Sequence, residues 1–238
     1  MGMPITVEVV DSSDSALLSS TFNYFHEIDE RYSTYKDSSE ISQINHGLPK
    51  TQWSTEMQEI MRLCEETKQE TDSYFDVEHS GKLDPSGLVK GWSIWQAAQK
   101  LLKAGAADFY IEAGGDIQSN GVNSEGKPWL VGIRNPFNTD ETIKTVRLNG
   151  KGIATSGTYI RGQHIYNPHA PEKPPRGVQS ITLIAANVYE ADRFATAAFA
   201  MGKAGIMFIE KQPGLEGYMI DDAGIATYTS GFNEYVYA

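Results

Sequence analysis

The chain is 238 residues long with 40% hydrophobic side chains, enough to bury one substantial core, or two intimately packed subdomains sharing one. Its formal net charge of -11 argues against nucleic acid or an anionic membrane as the main partner, because phosphate backbones demand clustered Lys and Arg. An anionic nucleotide would still bind where a metal or a few well-placed basic groups supplied local positive charge.

Ile5, Val7 and Val9 alternate with polar residues and predict a first strand. A helix is expected from about Ser15 to Tyr32, with Leu17, Leu18, Phe22, Phe25 and Ile28 at helical spacing and Ser12, Ser13 or Asp14 as its cap. A second helix spans Thr55 to about Thr71, turning Met57, Ile60, Met61 and Cys64 inward. A third runs from about Leu88 to Lys103 and ends at Gly105, with Ile94, Ala97, Ala98, Leu101 and Leu102 on its apolar face. From Asp108 the pattern changes to strands: Phe109 to Glu112, Trp129 to Ile133, Ile143 to Leu148, Ile153 to Ala154 and Ser180 to Ala185. A fourth helix follows from Ala191 to Met201, and short strands around Gly217 to Ile220 and Ile225 to Thr229 close the chain.

This interleaved order is α+β, without the regular βαβ alternation of a Rossmann domain and without short-period repeats. The Pro-rich stretch from Pro168 to Pro175 reads as an ordered loop, since strand signals resume directly after it. Cys64 is the only cysteine, so no internal disulfide or thiolate zinc site can form, and its place in a helical pattern marks it as a core residue. No apolar run approaches a membrane span, and Met1 to Val10 lack the order of a signal peptide. The expectation is a soluble, cytoplasmic chain; export or membrane anchoring is the alternative if the sequence is a trimmed form.

Familiar nucleotide and zinc signatures fail. Gly81-Lys82 lacks the surroundings of a P-loop, no G-x-G-x-x-G is present, and His26-Glu27 has no second histidine at helical spacing. Four polar or glycine-dense clusters remain. They are Tyr32 to Tyr35 with Ser39-Glu40 and Asn45; Phe75-Asp76 with Asp84 to Gly91; Glu112 to Asp116; and Thr155-Ser156-Gly157 with His164 to Pro168, Asp192 and Thr196.

Each cluster has a structural reading. Asp84-Pro85-Ser86-Gly87 serves equally as a turn and helix cap, and Gly114-Gly115-Asp116 as a hairpin turn. Asp192 and Thr196, four apart, share a helix face where capping is common, and a lone His164 is often simply hydrogen-bonded. The functional reading is that the clusters suit one ligand together. Glycine-lined helix starts bring backbone N–H groups to phosphate oxygens, Lys90 adds a positive charge, and Asp192 with the Thr196 hydroxyl offers hard oxygen donors for magnesium.

Taken in order, these clusters resemble the ApbE family of flavin transferases across nearly the whole chain. Met1-Gly2 is similar to the family's Met-Gly-Thr start, with Met3 in place of the threonine. Tyr32 to Tyr35, Ser39-Glu40-Ile41 and Asn45 resemble its S-x-Y, S-E-I/L and N stretch. Tyr74-Phe75-Asp76 resembles G-x-F-D with Ser73 at the glycine, and Asp84 to Gly91 resembles D-x-x-G/A-x-x-K-G. Glu112 to Asp116 is similar to the N/E-x-G-G-D hairpin, Thr155-Ser156-Gly157 to T-S-G, and Asp192 to Thr196 to D-A-x-A/D-T. His164-Ile165-Tyr166-Asn167-Pro168 departs from the family's H-I-I-D-P followed by Thr-Gly, with His169 to Pro175 replacing that continuation.

The resemblance implies one domain over residues 1–238, an α+β, T-fold-like arrangement of mixed sheets and packed helices in two intimately packed subdomains. It implies that FMN passes from FAD to a Thr or Ser hydroxyl of an acceptor protein through a phosphoester bond, with magnesium and release of AMP. Tyr35 would stack on the isoalloxazine, and Met1, Tyr74, Phe75 and Asp76 would line the flavin pocket. Asp84 and Lys90 would hold the cofactor's polar body, with Tyr166 meeting the flavin through its backbone. Asp192, Thr196 and the carbonyls of Gly87 and Ala195 would bind magnesium. His164, whose ordinary pKa lies near ~6.5, would be the base. With water as acceptor the same site makes an FAD pyrophosphatase, and a flavin-binding protein without catalysis is the reading from another class.

Overall fold

The alternation of Ile5, Val7 and Val9 does produce a strand, β1 (Ile5–Val9). The computed structural model describes residues 2–158 and 165–237. Asp14 caps α1 (Ser15–Tyr32), its carboxylate accepting the Ala16 N–H at 2.8 Å. A short helix α2 (Glu40–Asn45) capped by Ser39 precedes α3 (Thr55–Glu70), capped by Ser54. Strands β2 (Glu78–His79) and β3 (Lys82–Leu83) form a small hairpin before α4 (Ser86–Lys103), and Gly105 follows that helix in the left-handed region, at φ +91°.

Next come β4 (Phe109–Ala113), β5 (Asp116–Asn120), β6 (Leu130–Asn135), β7 (Asn138–Arg147), β8 (Gly152–Gly157) and β9 (Ser180–Ala185). The chain continues through α5 (Val188–Ala200), α6 (Gly205–Ile209), β10 (Glu216–Ile220) and β11 (Ala226–Tyr228). Among the described residues, seven strands form one sheet in the order β1-β4-β5-β8-β9-β10-β11, every pairing antiparallel, while β6 and β7 pair as a separate ribbon.

The two faces of the sheet are covered differently. Ile181 and Leu183 of β9 pack with Ala191, Phe194, Ala195 and Ala198 of α5, whereas Ile184 of the same strand packs with Val131, Ile133 and Val146 of the ribbon. All six residues of β9 are therefore buried, as expected where a strand is covered on both sides. A third cluster joins α1, α3 and α4 to β4, and Val188 and Ala197 of α5 belong to it, so α5 ties the helical half to the sheet half. Cys64 is buried in this cluster, and burial pushes its thiol up to about 12.

Some boundaries and faces differ from expectation. Phe22 and Leu102 are exposed, because the buried stripe of α1 is Thr21, Tyr24, Phe25, Ile28 and Tyr32, and that of α4 ends on Leu101. The ribbon strand β7 starts five residues early, its exposed first half carrying no apolar alternation. The residues of α2 were visible only as a polar cluster, and β5 was not predicted at all. Its sequence, Asp-Ile-Gln-Ser-Asn, puts Asp116, Gln118 and Ser119 inside the sheet. Gln118 is satisfied there: its amide donates to Gly150 O at 3.0 Å, and its oxygen accepts the Val188 N–H at 2.9 Å.

Glycine sets how closely α4 and α5 approach. A Cβ on Gly91 would lie 2.5 Å from Asp192 Cβ and 2.6 Å from Val188 O, so only a residue without one fits between the helices. Arg193 then braces α5 against α3. Its guanidinium bonds Glu70 and Thr67 of α3 and Glu190 of its own helix, and it lies over the Phe194 ring at 4.3 Å. Among the described residues no helix is long and apolar enough to cross a membrane.

Candidate functional site

The helical side of the molecule opens into a cavity of about 450 Å³, within the roughly 300–1,000 Å³ usual for small-molecule sites. Its floor is the start of α4. Asp84 Oδ1 accepts the Ser86 N–H at 3.0 Å, which turns the chain into the helix, and Ser86, Gly87 and Lys90 then face the cavity. Asp84 thus makes the turn ahead of the helix and lines the cavity, while the N-cap itself is Pro85, without a side-chain bond. The helix start carries partial positive charge, and Lys90 one turn on adds a full one.

Against this floor α5 sets Asp192 and Thr196. The Thr196 hydroxyl donates to Gly87 O at 3.2 Å, and Asp192 Oδ2 accepts the Gly91 N–H at 2.7 Å. Lys90 Nζ lies 2.6 Å from Asp116 Oδ2 and 3.5 Å from Asp192 Oδ1. Asp116 is 0% exposed and Asp192 2% exposed, so two buried carboxylates share one ammonium. Asp116 Oδ1 also accepts the Thr155 N–H at 3.1 Å. Burial raises the pKa of Asp116 above the usual carboxylate range, and the Lys90 charge works against that rise.

The aromatic wall comes from the turn after α3. Tyr74, half-buried, and Phe75, buried, line the cavity beside Asp76, whose carboxylate takes Lys68 Nζ at 2.8 Å and the Glu78 N–H at 3.0 Å. Ser73 stands where the family pattern has glycine, and its φ of +62° is in the left-handed region that favours glycine. Tyr166 crosses to this wall. Its hydroxyl lies 3.0 Å from Asp76 O and 2.8 Å from Glu78 O, its ring centroid is 3.9 Å from that of His79, and burial lifts its pKa to about 12. His169, in the segment that departs from the family, donates from Nε2 to Asp72 O at 2.8 Å, with its ring 4.5 Å from that of Tyr74. Asn45 fixes the opposite lip, its amide donating to Leu83 O at 2.9 Å and its oxygen accepting the Leu83 N–H at 2.8 Å.

Most of the site residues named from sequence are brought together here: Tyr74, Phe75, Asp76, Asp84, Gly87, Lys90, Tyr166, Asp192 and Thr196 all line the cavity. Two stand apart. Tyr35 is 93% exposed beyond Thr34, itself a lining residue, and Ala195 is buried within α5 with its side chain in the core. Met1 and His164 lie outside the described residues. Sequence reasoning placed Asp116 in one of the four clusters but gave it no role of its own, and gave none to His79 or Lys82, which line the cavity. The signal for Asp116 was a carboxylate placed directly after the Gly114-Gly115 turn at the head of a sheet strand.

Among the described residues no three His, Cys, Asp or Glu side chains cluster as a metal cage. The donors that do converge, the Asp192 carboxylate, the Thr196 hydroxyl and the Gly87 carbonyl, are all hard oxygens. Such a partial set fits magnesium, which keeps water or substrate phosphate in its other positions.

Fold and site together define a class: an α+β protein with an antiparallel sheet whose helical side holds one polar-floored, aromatic-walled cavity. Within that class the chain belongs to the ApbE family, whose family model matches residues 1–81 and 77–219. It is 31% identical over 160 residues to the FAD:protein FMN transferase of Haemophilus influenzae, covering 62% of this chain and 46% of that protein. To the FAD:protein FMN transferase of Escherichia coli K12 it is 29% identical over 151 residues, covering 60% of this chain and 43% of that protein. The chain thus spans about half the length of the relatives that it matches. The solved flavin transferase ApbE from Vibrio cholerae superposes with a TM-score of 0.85 at 21% identity, over 99% of this chain and 96% of that one. The ApbE protein of Thermotoga maritima gives 0.86 at 22% identity, also over 99% and 96%. These likenesses establish the fold.

The left-handed Ser73 yields a prediction. Ser73→Gly removes the cost of a Cβ at positive φ and should raise stability by about 1 kcal/mol, measured by urea denaturation.

Proposed function

We propose that this chain transfers FMN from FAD to a Thr or Ser hydroxyl of an acceptor protein, forming a phosphoester and releasing AMP, with magnesium required. The observation that carries this reading is that the α4 start, Lys90, Asp192 and Thr196 line the same cavity as the aromatic side chains of Tyr74 and Phe75. A pyrophosphate suits the first group of residues and a flat aromatic ring the second. The relatives named as FAD:protein FMN transferases support the same assignment.

Asp192, Thr196 and Gly87, with the Ala195 carbonyl, would hold magnesium, which when bound neutralises charge on the phosphates. Lys90 and the N–H groups at the start of α4 orient the pyrophosphate in line for attack. Tyr74, Phe75 and Asp76 hold the isoalloxazine, Asp84 the polar body of FAD, and the exposed Tyr35 ring stacks on the flavin once it is bound. Met1 is assigned to the flavin pocket from its motif alone, and Tyr166 would meet the flavin through its backbone. In the reaction the acceptor hydroxyl attacks the phosphorus on the flavin side. The bond to the bridging oxygen breaks, AMP leaves with that oxygen, and His164, assigned from its motif alone, takes the hydroxyl proton.

The test is incubation with FAD, magnesium and a threonine-bearing acceptor peptide, following AMP and peptide-bound flavin together. Both products are expected. AMP without labelled peptide would mean hydrolysis, and neither product would leave a flavin-binding protein. In that assay Asp192→Ala should abolish magnesium-dependent AMP release, and Thr196→Val should reduce it less completely; full activity of Asp192→Ala at limiting magnesium would move the metal elsewhere.

Tyr35→Ala should weaken FAD binding by roughly 1–3 kcal/mol, the usual worth of a ring stacked on an aromatic side chain, while the fold stays intact. Flavin fluorescence titration measures this, and unchanged affinity removes Tyr35 from the site. His164→Ala should leave FAD and magnesium binding nearly unchanged and slow transfer by a factor on the order of 10²–10⁴. Single-turnover rates across pH decide the point, since a variant with the wild-type profile would exclude His164 as the base.

A further inference from the structure

Lys90 faces two buried carboxylates, and they are not equivalent. Asp116 holds the ammonium at 2.6 Å, whereas Asp192 lies at 3.5 Å and spends its other oxygen on the Gly91 N–H. Asp116 is fixed for this task by the strand pairing Ala113↔Asp116 that closes the Gly114-Gly115 turn, and by the Thr155 N–H on its second oxygen. With all three groups ionised, two carboxylates and one ammonium carry one net negative charge in a buried site, where charges act strongly on one another. Without Asp116 the ammonium and Asp192 would sum to zero, and Asp192, already at 3.5 Å, would be the one of the two carboxylates still there for Lys90 to approach.

We infer that Asp116 is a positioning residue: it draws the Lys90 ammonium away from Asp192, so that Asp192 keeps its charge for a divalent cation. This rests on the metal reading proposed above, with Asp192 as a ligand. Asp116 itself touches neither metal nor nucleotide, since it does not line the cavity. Its effect passes through Lys90, whose charge is thereby presented to the cavity rather than spent on Asp192.

The test is direct cation binding, read by the electron paramagnetic resonance of Mn2+ titrated into the whole chain. Asp116→Asn preserves size and an acceptor for the Thr155 N–H but turns an amide toward Lys90. It should weaken Mn2+ binding by roughly 10–100-fold, the usual worth of a partner behind a metal ligand. The double variant Asp116→Asn with Lys90→Met should recover most of that loss, because the competing ammonium is gone. Recovery is what a merely structural role for Asp116 would not give. Lys90→Met alone should bind Mn2+ at least as tightly as wild type, which tests the same competition without altering Asp116.

The outcomes separate the two levels of the argument. If wild type and Asp192→Ala bind Mn2+ equally, the metal reading fails and the inference falls with it. If binding depends on Asp192 but Asp116→Asn leaves it unchanged, the inference alone is overturned. It is overturned equally if the double variant is no better than the single one, or if Lys90→Met weakens binding.

Discussion

A single ammonium shared by two buried carboxylates is the constraint on which this architecture turns. Lys90 comes from α4, Asp116 from β5 and Asp192 from α5, so the group forms only when both helices are docked against the sheet. Breaking a buried charge pair by deleting one partner costs about 3–5 kcal/mol, a large share of the roughly 5–15 kcal/mol that holds a domain together. Gly91 is the steric counterpart of that charge arrangement. Its bare backbone lets α4 come close enough for its N–H to reach Asp192, which fixes the carboxylate's orientation from behind.

Around that group the cavity divides its labour by chemistry. The floor is backbone and small polar side chains at a helix start, where N–H groups without helical partners favour anions. The wall is aromatic and held in place indirectly. Tyr166 and His169 fasten the segment after residue 164 to the carbonyls of Asp72, Asp76 and Glu78, and Asn45 pins the β2–β3 lip from the other side. The departure from the family pattern after Tyr166 therefore has a structural counterpart, since His169 supplies one of these fastenings.

Much of the fold could be read in the sequence where periodicity was clean. The strand at Ile5 to Val9, a cap within Ser12 to Asp14 and the long helices α1, α3, α4 and α5 follow from alternation, capping residues and helical spacing. Reading failed where polar residues are buried for a reason that only tertiary structure supplies. β5 lacks an apolar alternation because Asp116 and Gln118 spend their polar groups on Lys90, Thr155, Gly150 and Val188. The same holds for the site. Ordered motifs located its floor and aromatic wall, but the ion pair between Lys90 and Asp116 spans 26 positions of sequence and no local pattern encodes it. Phe22 and Leu102 show the opposite error: residues beside a buried stripe look like part of it until the neighbouring helix sets its phase.

The cavity's lining runs from Thr34 to Thr196, and its contributors belong to segments that meet only through long-range contacts. The α4 floor and the aromatic wall lie within residues 74–90, but Thr155, Asp192 and Thr196, which complete the polar lining, come from β8 and α5 far along the chain. Occupancy and global folding are therefore linked equilibria: a ligand that needs every segment in place binds the native state and has little purchase on partly unfolded forms. It stabilises the native state by RT ln(1 + [L]/Kd), about 2.7 kcal/mol at a hundredfold excess over Kd. A chain of this kind would owe part of its lifetime to its nucleotide supply, and the concentration of that small molecule would set how much folded protein a given rate of synthesis sustains.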